Sequence, residues 1–165
     1  MEKIDVIKLA KEKLGASLFA PLDISFNCVE NSPLSVSKEQ NKVNITYSKK
    51  CMLFRGLTLL KEHINEDKFD ITLEKHFIHN GYMIDCSRNG VANLKTLKDV
   101  ILTQALMGQD RLLLYTEDTY KLDKYPYFGY LRGSYTKEEI KEIVESVGEN
   151  FNDEEIKGKR ICLRA

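Results

Sequence analysis

The sequence has no net charge, no closely spaced cysteine pair and no apolar run long enough to cross a membrane. Its 165 residues include 25 basic and 25 acidic side chains, so we expect no electrostatic surface for nucleic acid or for a membrane. A bilayer-spanning helix needs roughly 20 apolar residues, and the charged N-terminal segment lacks the apolar core of a signal peptide. We therefore expect a cytoplasmic protein with neither of those partners.

The cysteines and histidines do not form a pattern typical of a metal site. The four cysteines are Cys28, Cys51, Cys86 and Cys162. Because they are far apart and form no C-x-x-C motif, a zinc site is not expected, and reduced thiols suit the cytosol. The three histidines also lack ligand-like spacing and predict ordinary, partly exposed side chains. We expect no metal and no other cofactor.

Alternating apolar and polar residues predict three strands in the first half of the chain. Leu22–Val29 and Lys42–Ser48 alternate with the period of a half-buried strand. Their polar connection predicts that these two strands form an antiparallel pair. Lys68–His79 returns to the same alternation and predicts a third strand.

Helical spacing occurs on either side of the first two strands. Lys3–Leu14 has apolar residues every four positions and is followed by Gly15, a common helix end. Cys51–Asn65 has apolar residues three or four apart, which predicts a helix that covers the sheet. Residues 1–79 are therefore predicted to form a small α/β domain.

The second half follows a strand–helix–strand pattern. Tyr82–Asp85 is a short apolar run, Leu94–Met107 has helical spacing and ends at Gly108, and Arg111–Tyr115 is continuous enough for a buried parallel strand. This order within about 35 residues predicts one right-handed βαβ unit. The T-K-E-E motif at 136–139 predicts a capping box that begins another helix.

Four charged residues follow the two predicted parallel strands. Asp85 and Arg88 come after the first strand, and Glu117 and Asp118 come after the second. Because the carboxyl ends of parallel strands meet at one edge, we expect all four to face one crevice. The guanidinium of Arg88 presents donors in a fixed fork that can hold two adjacent sugar hydroxyls or a carboxylate.

The loop beyond the second strand is dense in aromatic residues, which can pack against the apolar faces of sugar rings. These residues are Tyr115, Tyr120, Tyr125, Tyr127, Phe128, Tyr130 and Tyr135. Plainer interpretations remain open: the aromatic rings pack the loop onto the fold, Arg88 neutralises Asp85 or Glu117, and Asp118 braces the loop.

Four motifs in this region resemble glycoside hydrolase family 20. They are M-I-D-C-S-R-N, A-L-M-G, L-Y-T-E-D-T-Y and Y-P-Y-F-G-Y-L-R-G-S-Y-T-K-E-E-I, in that order within Gly81–Val144. The likeness is to the intracellular-type bacterial β-N-acetylhexosaminidases of that family. It implies an α/β chain in which a small N-terminal α/β domain, residues 1–79, precedes the first two βα units of an incomplete (β/α)8 TIM barrel, residues 80–165.

The resemblance also implies an activity. Members of the family remove terminal β-linked GlcNAc or GalNAc by substrate-assisted retaining catalysis, an exception to the two-carboxylate scheme. The 2-acetamido oxygen of the substrate attacks the anomeric carbon, one carboxylate orients the acetamido group, and an adjacent glutamic acid protonates the leaving oxygen. No metal is required.

The resemblance implies substrate-binding residues but no catalytic ones. Arg88 matches the arginine that grips the outer hydroxyls of the terminal sugar, and Asp85 matches a supporting aspartate. Glu117 and Asp118 match an acidic pair near the pocket. The catalytic Asp-Glu pair of the family follows barrel strand four, whereas this sequence matches the barrel only to strand two and one further helix.

The C-terminal tail departs from the family pattern. It has no proline and few apolar residues, and its only periodic stretch, Asp153–Ile161, is compatible with an amphipathic helix. Glu145, Glu154 and Glu155 lack the context of the catalytic acid. We therefore expect an N-terminal portion of a hexosaminidase that is inactive alone and can self-associate through the unclosed barrel edge.

Two other hypotheses remain for the whole chain. One is a non-catalytic carbohydrate-binding or interaction module that uses Arg88 and the aromatic loop. The other is a generic α/β protein whose motifs resemble the family by chance.

Overall fold

The structure is a computed structural model that describes residues 8, 10, 12–74, 76–88 and 90–150. These residues form a mixed α/β fold with two sheets. None of the helices in these ranges has the length and apolar content to cross a membrane.

Two predictions fall wholly or partly outside the described residues. The helix predicted over Lys3–Leu14 is described at residues 8, 10 and 12–14, which are helical, and a short 3-10 helix, Ala16–Phe19, follows Gly15. The stretch Asp153–Ile161 lies entirely outside the described residues.

The first sheet contains four strands. These are β1 (Asp23–Cys28), β2 (Leu34–Glu39), β3 (Lys42–Tyr47) and β4 (Lys68–Leu73). Their order across the sheet is β1-β3-β2-β4. Strand β2 runs antiparallel to both β3 and β4, whereas β1 runs parallel to β3.

The predicted antiparallel pairing of the first two strands is wrong. The strands predicted over Leu22–Val29 and Lys42–Ser48 are β1 and β3, and they pair in parallel, with Ile24 opposite Val43. The sequence interpretation missed β2, which occupies the connection between them. Because β2 forms the antiparallel hairpin with β3, β1 and β3 run in the same direction.

A lysine on the buried face of β2 interrupts the alternation of apolar and polar residues, which is why the sequence interpretation missed this strand. Lys38 follows Leu34 and Val36 on the inward face and is only 7% exposed. Its ammonium group donates hydrogen bonds to the carbonyl oxygens of Ile64, at 2.6 Å, and Glu66. These carbonyls provide the polar partners that a buried cation requires.

Strand β4 is shorter than predicted. Its last residue, Leu73, pairs with Leu34, the first residue of β2. The predicted strand Lys68–His79 cannot continue in this sheet because β2 begins there and offers no further backbone partner. Phe77 and Ile78 beyond this point are 71% and 79% exposed.

Helix α1 (Lys50–Glu62) covers the apolar face of this sheet, as its spacing predicted. The contact is close at Gly56, where an added Cβ would lie 2.8 Å from Ile45 Cγ2. A larger residue at this position would force the helix and sheet apart.

The second unit confirms the predicted strand–helix–strand order. Strand β5 (Gly81–Asp85) pairs in parallel with β6 (Arg111–Tyr115), and α2 (Leu94–Leu106) connects them. The next helix is α3 (Lys137–Asn150), and the predicted capping box precedes it. The Thr136 N–H donates to the Glu139 carboxylate at 2.8 Å, and the Glu139 N–H donates to the Thr136 hydroxyl at 3.2 Å.

The two sheets are joined through α1 and α2, which pack together within one hydrophobic core. The Thr58 hydroxyl donates to the carbonyl of Leu106 at 3.0 Å. Asp110 accepts from Lys49 Nζ at 3.1 Å and from the backbone N–H of Asn80 at 2.8 Å. Burial opposes ionisation of Asp110, but these donors lower its pKa overall.

Replacing the buried Lys38 should destabilise the protein. We expect Lys38→Met to lower the free energy of unfolding by about 2 kcal/mol, because two carbonyls lose charge-assisted hydrogen bonds. Urea denaturation would measure this change. Lys68→Met is the matched control, since Lys68 pairs with Glu39 on the exposed face and exposed pairs contribute little. Equal effects of the two variants would contradict the assigned role of Lys38.

Candidate functional site

The candidate site lies at the carboxyl ends of β5 and β6. Asp85 pairs with Tyr115 across the two strands, so their side chains share one face of the sheet. Leu112 and Leu114 alternate onto the opposite face and are buried in the hydrophobic core. Asp85 and Tyr115 therefore lie on the face of the sheet opposite these leucines.

Asp85 organises the turn that follows β5. Its Oδ1 accepts from the Ser87 N–H at 2.9 Å, the Ser87 hydroxyl at 2.7 Å and the Arg88 N–H at 3.2 Å. Its Oδ2 accepts from Arg88 Nε at 2.8 Å. An aspartate that bonds the backbone two residues onward forms an Asx turn, and here that turn sets the direction of the arginine.

Tyr115 contacts both Arg88 and Glu117. The Arg88 guanidinium carbon lies 5.7 Å from the centre of the Tyr115 ring, within cation–π range. The Tyr115 hydroxyl donates to Glu117 Oε1 at 2.5 Å. Asp85, Arg88, Tyr115 and Glu117 together form what we call the polar cluster, and it brings together three of the four predicted site residues.

Asp118 points to a different partner. Its carboxylate accepts from Arg132 Nη1 at 2.7 Å, within the loop that returns toward α3. Gly129 lies against the Asp118 carbonyl, where an added Cβ would be 2.1 Å from the oxygen, and its φ is +71°. These contacts correspond to the loop-bracing alternative, and no described contact joins Asp118 to the polar cluster.

The aromatic loop divides into buried and exposed rings. Tyr135 is 3% exposed, and its hydroxyl donates to the carbonyl of Ala92 at 2.7 Å. Burial, and then the neighbouring Cys86 thiol, raise the pKa of Tyr135. Tyr127 and Tyr130 form an edge-to-face pair and are 82% and 66% exposed. Part of the loop therefore packs the fold, while other rings remain accessible to a ligand.

Within the polar cluster, hydrogen bonds favour the ionised form of Asp85 and the protonated form of Tyr115. The Ser87 hydroxyl, followed by the two backbone donors and Arg88, outweighs desolvation and lowers the pKa of Asp85 to about 2. The hydrogen bond to Glu117 raises the pKa of Tyr115, so its phenol stays protonated and donates. The cluster thus presents a fixed, partly exposed guanidinium that suits hydroxyl or carboxylate ligands.

The sequence interpretation missed two features of this site. Ser87 supplies the largest contribution to the low pKa of Asp85, and the D-x-S-R spacing of an Asx turn could have revealed it. Tyr115 was grouped with rings that pack against sugars, whereas it lies beside Arg88. Within the described ranges, no three metal-ligand side chains cluster together.

The fold matches solved structures of glycoside hydrolase family 20. A β-N-acetylglucosaminidase of that family gives a TM-score of 0.67 at 22% identity, covering 86% of this chain and 34% of that chain. The β-N-acetylhexosaminidase from Streptomyces coelicolor A3(2) gives 0.65 at 20% identity, covering 87% and 38%. The Vibrio harveyi exo-β-N-acetylglucosaminidase in complex with N-acetylglucosamine gives 0.63 at 14% identity, covering 88% and 30%.

This chain therefore spans about a third of the length of those structures. At such identities the similarity establishes the fold. No family model and no curated protein sequence matches the chain.

Removing the Ser87 hydroxyl should raise the pKa of Asp85 toward its ordinary value. We expect Ser87→Ala to raise it more than Arg88→Ala does, because the serine makes the largest contribution and the arginine charge the smallest of the stated causes. Carboxyl-detected NMR titration would measure both shifts. A larger rise of the Asp85 pKa in Arg88→Ala than in Ser87→Ala would contradict this ranking of the two contributions.

The same pKa predicts the acid sensitivity of this turn. Because the folded pKa is depressed from 3.8 to about 2, the contribution of Asp85 to stability is present above about pH 4 and lost as the pH falls through about 2. In Ser87→Ala the folded pKa lies closer to 3.8, so this loss should be smaller and should be complete at a higher pH. Urea denaturation of both proteins between those pH values checks the direction, and identical pH profiles would contradict it.

The buried tyrosine should stabilise the loop through its hydroxyl. We expect Tyr135→Phe to reduce stability by about 1 kcal/mol, because the Ala92 carbonyl loses its donor. Tyr127→Phe is the matched control, since that ring is exposed, and it should change little. Thermal or urea denaturation measures both, and equal effects would contradict the anchoring role.

Proposed function

We propose that this chain is the N-terminal portion of an exo-β-N-acetylhexosaminidase. In this proposal residues 1–79 form the small non-catalytic domain, and residues 80–165 begin a (β/α)8 barrel with its first two βα units. The likeness of fold to family 20 enzymes over most of this chain supports the assignment, as do the four motifs between β5 and α3.

The single observation that carries the proposal is the orientation of Arg88 by Asp85. Nε is held at 2.8 Å by the carboxylate while the side chain remains 73% exposed. The terminal nitrogens are therefore available to hold two adjacent hydroxyls of a terminal sugar. Glu117 accepts a hydrogen bond from Tyr115, whose ring lies beside Arg88. Asp118 contributes by bracing the loop that follows β6 through its pair with Arg132.

Hydrolysis itself would depend on residues beyond barrel strand two. The substrate acetamido oxygen would attack the anomeric carbon, with a catalytic Asp-Glu pair orienting it and protonating the leaving group. Neither member of that pair is assigned to this chain, so we propose that the chain alone is inactive. The reduced thiols of Cys28 and Cys86 suit the proposed cytoplasmic location, and the incomplete barrel offers an edge for self-association.

Arg88 should control catalysis in the longer polypeptide. To test this, the DNA that follows codon 165 would be read in all three frames. This chain would then be expressed joined to any barrel sequence found there. Turnover of 4-nitrophenyl β-GlcNAc is expected only for the joined protein. We expect Arg88→Lys to lower its kcat/KM by about tenfold to a hundredfold, because the bidentate fork is lost.

Arg55→Lys is the control, because Arg55 pairs with Glu62 on α1, far from the polar cluster in the sequence and on another element. It should leave kcat/KM within about twofold of the parent, a change of about 0.4 kcal/mol. Turnover by the 165-residue chain alone would overturn its proposed inactivity. If no barrel sequence follows, and GlcNAc raises the Tm of this chain but not of Arg88→Ala, the carbohydrate-binding module is the better assignment.

A further inference from the structure

The aromatic loop, residues 120–135, is held in place by its own backbone. In four turns between residues 122 and 132, a backbone N–H donates to the carbonyl three residues earlier, at 2.9 to 3.2 Å. The ends of the loop are also joined, because the Lys121 N–H donates to the Tyr135 carbonyl and the Tyr135 N–H donates to the Thr119 carbonyl, both at 2.9 Å. The side chains of this loop are therefore presented in a defined arrangement.

The same loop is anchored against the segment that follows Arg88. The Tyr135 hydroxyl donates to the carbonyl of Ala92 at 2.7 Å. Gly133 lies against Val91, where an added Cβ would be 3.2 Å from the Val91 Cβ. The segments that follow β5 and β6 therefore form one continuous surface at the carboxyl ends of these strands.

Four large side chains with apolar surface project from this loop into solvent. They are Tyr125, Tyr127, Tyr130 and Leu131, and the least exposed of them is Tyr125, at 65%. A complete (β/α)8 barrel pairs the edges of its strands and covers them with helices, but it keeps the loops at the carboxyl ends open as its ligand-binding face. The position of these four residues therefore suits ligand contact in the complete fold as well.

Leu131 adds a sign of strain at this position. Its φ is +63°, in the left-handed region that residues other than glycine rarely adopt. The side chain is 89% exposed, so burial does not offset this conformational cost. Strained backbone is concentrated at ligand-binding sites, and here it immediately follows Tyr130.

Tyr127 and Tyr130 form a corner of two aromatic rings. Their centroids lie 6.1 Å apart, and the ring planes meet at 71°. The apolar face of a sugar ring can pack against such a ring while the phenol hydroxyls reach polar groups. Two fixed, exposed rings at a steep angle therefore suit a sugar that contacts one face and borders the other.

We propose that Tyr127 and Tyr130 form a subsite for the second sugar of a β-linked oligosaccharide, the sugar to which the terminal residue is joined. This inference rests on the proposed function, in which Arg88 holds the outer hydroxyls of the terminal sugar. The second sugar extends from that position across the surface that the anchored loop continues. The substrate class is therefore an oligosaccharide rather than a glycoside of a small alcohol.

Tyrosine NMR of the 165-residue chain locates the two sugars. The chain has eight tyrosines and no tryptophan, so ring-labelled tyrosine gives a small set of signals to assign. We expect millimolar GlcNAc to shift the signal of Tyr115, which lies beside Arg88. N,N′-diacetylchitobiose should shift the signals of Tyr115, Tyr127 and Tyr130.

The two proposals fail in different ways in this titration. A disaccharide that leaves the Tyr127 and Tyr130 signals in place would overturn the second-sugar subsite. Shifts at those two rings with none at Tyr115 for either sugar would instead contradict the placement of the terminal sugar by Arg88.

Kinetics of the longer polypeptide provide a second test. Tyr127→Ala combined with Tyr130→Ala should lower the ratio of kcat/KM for N,N′-diacetylchitobiose to kcat/KM for methyl β-GlcNAc by about fivefold to a hundredfold. The reason is that each aromatic contact contributes about twofold to tenfold and the methyl glycoside has no second sugar. Arg88→Lys should lower both values and leave their ratio within about twofold of the parent.

Phe77→Ala is the matched control, because it removes an exposed aromatic ring that precedes β5, at the opposite end of the strand from Asp85. It should keep both kcat/KM values within about twofold of the parent. An unchanged ratio in the tyrosine double variant, or an equal fall for both substrates, would overturn the subsite. A parent polypeptide that hydrolyses neither substrate would contradict the proposed function itself.

Discussion

The position of the candidate site depends on the packing of α2 between α1 and α3. Leu97, Ile101 and Ala105 of α2 are fully buried in this arrangement. Because α2 connects the end of β5 to the start of β6, packing the helix positions both strands, and their parallel register aligns Tyr115 with Asp85. The Asx turn and the cation–π contact then form between segments whose backbones are already held. The site is therefore a consequence of helix packing in a core that continues beneath the first sheet.

Local signals predicted the second unit well. The continuous apolar run of β6, the helix end before Gly108 and the capping box before α3 each depend on residues within a few positions of one another. Such signals can be read from a single sequence because backbone geometry and hydrogen-bonding needs determine them directly. The shared edge of Asp85, Arg88 and Glu117 followed from the parallel pairing that those elements imply.

Features that depend on distant partners could not be read in the same way. Lys38 breaks the apolar pattern of β2, and the carbonyls that accept from it lie beyond α1, so the strand and the parallel β1–β3 pairing were both missed. Strand β4 ends where its partner begins, which its own alternation does not reveal. Glu117 and Asp118 are adjacent acidic residues, but Asp118 pairs with Arg132, a contact that depends on the path of the loop and is not visible in the sequence.

The local origin of the Arg88 contacts has a consequence for ligand affinity. Both hydrogen bonds that Arg88 donates, from its backbone N–H and from Nε, are accepted by Asp85 within the D-C-S-R segment itself, so the side chain is oriented in the free protein. Immobilising a flexible side chain on binding costs about 0.5–1.5 kcal/mol. Because Asp85 and the Tyr115 ring already restrict this arginine, much of that entropic cost is incurred when the protein folds. A ligand therefore binds to a preorganised guanidinium.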